Sequence, residues 1–320
     1  MSFLTLPQNY APGFAPQRYV YVNDTAAPQL TARLSDARTG ETVASLPLYD
    51  LWAPELDVSC FLRRMAAVAP FDDGATGLYA PQERTMALAV AIRGEAAPAR
   101  IFLPATRQTQ AGEPLTVLPA TRLIGDTEAD EIAVQCRSDC MAELTVFADG
   151  SASTQSYEIA AQGIALFRLD ATEFPGAESF ELALAADGEM STFRYEVAPP
   201  PPLSRRLAWL NDAGGIDRYT FPLVEERRYE IERNRLRLEE AGYVQSDATA
   251  EQRLRLGSAY EPAAVLEALA QLAAAPAVWA AANEGWMPVD VVSDTLSLER
   301  TGRLQHLSLE IRPCRKGGRL

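Results

Sequence analysis

The stretch Glu143-Leu144-Thr145-Val146-Phe147-Ala148-Asp149-Gly150 carries the strongest indication of fold. A short run rich in β-branched and aromatic residues ends in Asp-Gly. That dipeptide suits a two-residue hairpin, because its central positions need positive φ and glycine adopts it freely. The pattern recurs at Ser179–Leu184, Asp187-Gly188 and Thr192–Val197. Working outward, Glu131–Cys136, Tyr157–Ile159 and Ile164–Leu169 are further short strand candidates. Strand, turn, strand at this spacing predicts an immunoglobulin- or fibronectin-like β-sandwich of about seven strands over 101–198.

Upstream, residues 1–100 contain Tyr19–Val22, Gln29–Leu34, Thr42–Leu48 and Met86–Ile92, all strand-like and separated by turn residues. Between them Val58, Phe61, Leu62 and Met65 fall at helical spacing, with Asp57 as the expected N-cap of a helix over 57–68. Downstream, Pro199-Pro200-Pro201-Pro202 is a stiff, donor-free spacer, read here as a linker over 199–202.

The segment 203–320 mixes strands with one helix. Pro262 suits a first helical turn, Val265, Leu266, Leu269 and Leu272 form an apolar stripe, and Pro276 ends it. Strand-like runs surround that helix at 252–259, 277–280, 286–292, 295–299 and 304–311. Segment 224–241 reads two ways. Tyr229/Ile231 and Leu236/Leu238 alternate as in a strand, whereas Val224, Ile231 and Leu238 lie seven apart as in a helix; the strand reading is preferred. The expected architecture is mainly β with an α+β C-terminal part: consecutive β-sandwich-like domains followed by a small sheet-plus-helix domain.

Composition narrows function. The chain has 320 residues, 48% hydrophobic and 22% charged, with 29 basic against 43 acidic residues and a net charge of −14. That balance argues against nonspecific contact with nucleic acid or anionic membrane, whose phosphates need Lys and Arg. No apolar run approaches the roughly 20 residues that span a bilayer, and the first residues lack a secretory pattern. Synthesis in the cytoplasm, without membrane insertion, is the expectation.

Cys60, Cys136, Cys140 and Cys314 are then free thiols, with Cys136 and Cys140 able to face each other across a hairpin. A zinc site wants about four ligands, and His306, the single histidine, lies far off on an alternating, solvent-facing strand position. Asp72-Asp73-Gly74 and Asn211-Asp212 with Asp217 do not match a calcium loop and read as turns. Gly214-Gly215 lacks the context of a phosphate-binding loop. Neither a cofactor nor a catalytic residue is expected. The arginines at 227, 228, 233, 235 and 237, interleaved with glutamates, read as a solvated surface or, more specifically, as a subunit contact.

Leu207-Ala208-Trp209-Leu210-Asn211-Asp212-Ala213-Gly214-Gly215-Ile216-Asp217-Arg218-Tyr219-Thr220-Phe221 pairs aromatic anchors with a turn that Asn and two glycines permit. This stretch resembles a motif of phage and prophage tail-associated proteins of Bacteroidetes, in which aromatic-Leu-Asn, a Gly pair and aromatic-x-Phe follow a β domain. Asn9-Tyr10-Ala11-Pro12 with Arg18–Val22, the run Leu51–Leu62, and the tail from helix 262–275 to Trp286-Met287-Pro288-Val289 are similar to the same group. The chain departs from it in being richer in Ala and Arg. The resemblance implies a structural component of a virion or tail-like particle. Other tail or virion proteins, or further copies of the chain, would be its partners. Trp209, Leu210, Asn211, Gly214, Gly215, Asp217, Tyr219 and Phe221 would form its assembly or structural motif. A carbohydrate- or surface-binding sandwich, using exposed Trp52 and Tyr79, is the alternative; a hydrolase with two converging carboxylates in the C-terminal part is a third reading.

Overall fold

The computed structural model describes residues 2–22, 29–49, 53–238, 242–283, 285–293, 295–301 and 304–314. It is mainly β, organised as paired sheets followed by one large sheet with a helix on it.

In the first part, a three-stranded sheet (Ser2–Thr5, Arg18–Val22, Glu55–Asp57) faces a six-stranded one. The larger sheet includes Leu30–Asp36, Thr42–Leu48, Met86–Ile92 and Arg100–Leu103. Leu30, Ala32 and Leu34 are buried while Thr31 and Arg33 are exposed, the period-2 alternation of a half-buried strand. Tyr19, Tyr21 and Leu56 meet Leu34, Leu88 and Phe102 in a common core. Helix α1 (Ser59–Met65) covers one margin of this core through Leu62. Its N-cap is Val58, one residue later than expected. Asp57 still serves the helix start, since its carboxylate accepts the Ser59 N–H at 2.9 Å and the Gln17 N–H at 3.1 Å.

The second part is a sandwich. Five strands lie in one sheet (Thr121–Ile124, Glu189–Val197, Ala177–Ala186, Asp139–Ala148, Ser151–Ala160), and Ala129–Cys136 and Gly163–Asp170 lie in the other. Both Asp-Gly turns form as hairpins, with φ of 50° and 70° at Asp149-Gly150 and 50° and 86° at Asp187-Gly188. Those paired positive values mark a turn whose twist matches the flanking strands. The smaller sheet is completed by Gly77–Tyr79, which pairs with Leu166–Arg168. Cys136 and Cys140 do not face each other across a hairpin. The intervening residues cross from one sheet to the other, placing Cys136 opposite Gly163 and Cys140 opposite Ile159 and Ala186. Both thiols are free in the core, and burial pushes Cys140 up to about 12.

The third part is an eight-stranded sheet including Arg205–Leu210, Ile216–Phe221, Val278–Ala282, Gly285–Val291 and Leu304–Pro313. Helix α2 (Ala263–Ala270), continued as a 3-10 turn to Ala274, lays Leu266, Leu269 and Leu272 on that sheet. Pro262 is its N-cap and not its first helical residue. Segment 223–238 is a strand, paired with Gly242–Gly257 as a long two-stranded arm; residues 239–241 of the ambiguous segment lie outside the described residues. Among the described residues, Leu254–Gly257 is the part of the arm that also pairs with Leu304–Pro313.

Packing crosses the stretches delimited by sequence. Ala208, Leu210, Ile216 and Trp279 belong to the first core, and a small fourth core gathers Leu103, Ala105, Leu115, Ala133, Ile164 and Ala213 where the three parts meet.

Candidate functional site

Trp209 to Phe221 form a hairpin at that meeting point. Trp209 pairs with Asp217 and Leu210 with Ile216 across two antiparallel strands. Trp209 and Phe221 are fully buried in the third core, whereas Leu210 faces the first. Tyr219 is half-buried, stacked edge-on against Phe221 at 5.0 Å, and donates its hydroxyl to Glu261 at 2.8 Å. Burial raises both members of that Tyr219–Glu261 pair.

The turn is stitched by Asn211. Its side-chain oxygen accepts the Ala213 N–H at 3.0 Å and the Gly215 N–H at 3.2 Å. Its amide donates to Asp217 at 2.7 Å and to the Leu115 carbonyl at 3.1 Å. Gly214 has φ of 91°, a conformation that L side chains rarely adopt. Gly215 is required for another reason: a Cβ there would stand 1.8 Å from the Leu115 carbonyl oxygen. This close approach of two backbones is why the pair cannot serve as a phosphate cradle; Leu115 already occupies the space.

Asp217 is fully buried and accepts hydrogen bonds from the Thr116 hydroxyl, the Val117 N–H at 3.0 Å and Asn211. The Arg122 guanidinium lies 3.8 Å away. Its neighbour Arg218 reaches the other way. It donates to Glu131 at 2.7 Å, to the Phe71 carbonyl at 2.8 Å and to the Ala129 carbonyl at 3.1 Å, and its guanidinium lies over the Trp286 ring at 5.0 Å. Glu131 also takes Arg84 at 2.8 Å and the Phe71 N–H at 2.8 Å. Alongside, Arg206 binds Glu128 at 2.6 Å and approaches Asp130 at 3.7 Å; Arg122 approaches Asp130 at 3.6 Å.

Four arginines and four carboxylates, supplied by all three parts of the chain, thus balance one another with little access to water. Charges this deep are tolerated only when paired and bonded, and removal of one partner from such a pair typically costs about 3–5 kcal/mol. The arrangement clamps the three parts together. Its arginines are permanently charged and its carboxylates are engaged, while burial raises Asp217 above the ordinary aspartate range.

The eight sequence-selected residues all lie on this hairpin: Asn211, Gly214, Gly215 and Asp217 stand at the joint, Trp209 and Phe221 in the third core, Leu210 in the first, and Tyr219 against Glu261. Reading the sequence missed Arg84, Arg122, Glu128, Asp130, Glu131 and Arg206. One signal was present: Asp130-Glu131 opens a strand whose following residues are otherwise nearly all apolar, and a charge entering a run buried on both faces needs a partner.

Other candidates resolve differently. His306 is half-buried and meets the Tyr260 ring edge-on at 5.5 Å, not the plain solvent-facing position expected. Tyr79 is no exposed platform either: its ring lies 4.7 Å from that of Phe71 and its hydroxyl donates to the Ala75 carbonyl. Trp52 lies outside the described residues. Among the described residues, no group of three or more His, Cys, Asp or Glu is placed to hold a metal, and no helix is long and apolar enough to cross a membrane. An open hollow of about 550 Å³ beside the end of α2 is lined by Leu272, Val278, Trp279, Asp290, Arg312 and Cys314 among others. Its carboxylates Asp290 and Glu251 both lie against Arg312, at 2.9 and 3.6 Å.

No family model matches the chain, and no curated protein matches it. Among solved structures, the Dpr2 Ig1-Ig2 complex with DIP-Theta Ig1-Ig3 aligns over 98% of this chain and 88% of its own, at 7% identity and TM-score 0.21. Chicken CNTN1 FN1-FN3 aligns over 90% of this chain and 94% of its own, at 10% identity and TM-score 0.19. The N-terminal four Ig domains of Dscam1 align over 80% and 71%, at 9% identity and TM-score 0.18.

Proposed function

We propose that this chain is a non-enzymatic structural subunit of a phage tail- or virion-like particle, acting through protein–protein assembly. The observation that carries this reading is the joint around Asn211, Asp217 and Arg218, where the most distinctive residues of the chain are spent on holding its three parts in fixed relation. A rigid multi-part body with sheet faces and a projecting arm suits repeated docking, in which interface geometry must be reproduced from copy to copy. Catalysis asks for the opposite, namely titratable groups left available at a cleft. Here the charged groups at the joint and at the α2 hollow are tied to each other. The resemblance of the Trp209–Phe221 stretch to tail-associated proteins supplies the kind of particle. On this reading the protein is made in the cytoplasm and leaves it as part of the particle.

Co-expression with the structural proteins of a tail-like particle tests the proposal. The expected result is co-migration with them in a particle visible by negative-stain microscopy. A chain that stays apart from every co-expressed tail protein, and never sediments above its monomer, would sink it.

A further inference from the structure

Among the described residues, the arm formed by Leu223–Leu238 and Gly242–Gly257 has a third strand only at its base. Beyond Arg228 and Arg253 it continues as two strands for about 35 Å. A two-stranded ribbon is marginal in water unless one face is covered. Strand alternation assigns its two faces. Leu254 and Leu256 are core residues at the base. The same face continues outward through Tyr229, Ile231, Arg233, Arg235 and Arg237, with Tyr243 paired opposite Arg237. Tyr229 is 56% exposed, Ile231 50% and Tyr243 71%, so the core face of the sheet runs out into solvent without a cover. At the base, Arg228 and Arg253 are paired with glutamates; among the described residues, Arg233, Arg235 and Arg237 make no ion pair.

Elsewhere the chain carries a face of matching size and opposite charge. Seven arginines and eight acidic residues lie within 223–257, so nearly all of the net −14 sits on the body. The outward face of the five-stranded sheet of the middle sandwich presents Glu143, Glu158, Glu181 and Glu196. Among them stand Met141, 55% exposed, and Met190, 73% exposed. Arg194 is the one cation on these strands' outward positions, and Glu181 and Glu196 already engage it at 3.1 and 2.7 Å. Its longest strands have ten residues, about 33 Å, close to the free length of the arm.

We propose that the Tyr229/Ile231/Arg233–Arg237 face of one copy's arm docks across the Glu143/Glu158 face of a second copy's middle sandwich. Resting on the assembly reading above, this names the partner: another copy of the same chain, joined head to tail. Arm and acceptor are different surfaces, so the contact is heterologous and propagates into a ring or a filament. Arginine, tyrosine and methionine are residue types that interfaces favour. The three arginines opposite unpaired glutamates set the register and make the contact salt-sensitive.

The test is sedimentation velocity of the full chain from about 1 µM to about 0.5 mM, in low and high salt. Wild type is expected to self-associate, at least tenfold more weakly in high salt. The arm variant R233E/R235E/R237E and the face variant E143K/E158K should each weaken association at least tenfold. Mixed together, they should regain it, because the reversed charges again oppose. All the changed side chains are exposed, and unaltered circular dichroism and melting establish that both variants fold. Wild-type association that is insensitive to the arm reversal, or a mixture that fails to recover, overturns the proposal. A wild type that is monomeric at every concentration also overturns it. In that case, joining co-expressed tail proteins would leave the assembly reading standing, and joining none would remove both.

Discussion

Gly215 shows how a single residue decides the joint. A methyl group at this position meets the Leu115 carbonyl oxygen, a backbone atom that can move only if the Asn211 and Asp217 bonds move with it. Gly215→Ala is therefore expected to lower stability by about 2–4 kcal/mol, as overpacking against backbone does at the severe end of its range. Urea unfolding followed by Trp fluorescence should report a lower midpoint, and an unchanged midpoint would refute the argument. At this scale sequence was partly sufficient. Asn211, Gly214 and Gly215 were legible as a tight reversal, because the demand they answer is local. The role of Asp217 was not, since Thr116, Val117 and Arg122 lie about a hundred residues away along the chain. Arg218 stood inside the quoted motif without being singled out; its partners Glu131 and Phe71 lie 87 and 147 residues away in sequence.

Among the elements, α1 illustrates a short helix held by one carboxylate. Burial pulls Asp57 upward, but the Ser59 and Gln17 N–H groups together with Arg18 outweigh it and hold the carboxyl below its ordinary 3.8. A depressed folded value means that the stabilisation is present above the unfolded pKa and disappears as pH falls through the folded one. Asp57→Asn keeps an accepting oxygen but loses the charge, so it should be less stable than wild type at pH 7 by about 0.3–1 kcal/mol, the usual contribution of a negative charge at a helix start. The difference should shrink as pH falls below 3.8 and close once the folded carboxyl is itself protonated. Urea titrations at pH 7 and at a series of acid pH values check this, and a gap that does not shrink in acid would show that the charge is not what matters. Strand positions were widely readable here because the alternation of buried and exposed residues is written into each segment. Helix starts shifted by a residue, since capping depends on what the chain ahead of the helix is bonded to. The arm lay at the limit of such reading: its alternating and heptad spacings coexist, and pairing with Gly242–Gly257 selects the strand.

For the whole molecule, three sandwich- or sheet-based parts share cores and charges. The middle sandwich borrows Gly77–Tyr79 from upstream to complete a sheet, and its Glu131 depends on Arg84 from one side and Arg218 from the other. A fragment limited to residues 101–198 leaves Glu131 buried or half-exposed without either arginine and opens a strand edge at Leu166–Arg168. Such a fragment is expected to lose a sharp cooperative melt and to show weak near-UV circular dichroism, while the full chain retains both. A fragment melting within a few degrees of the intact protein would show that the joint contributes little.

Local chemistry was enough to specify a β-rich chain with two Asp-Gly hairpins, a helix stopped by Pro276 and a tight Asn-Gly-Gly reversal, because alternation, turn conformers and ring constraints act over a few residues. Which carboxylate meets which arginine, which strand crosses into a neighbouring sheet and which face of the arm is left uncovered emerged from packing alone. Buried charges and sheet edges are satisfied by whatever the completed fold brings within about 3 Å, and no spacing along the chain encodes that.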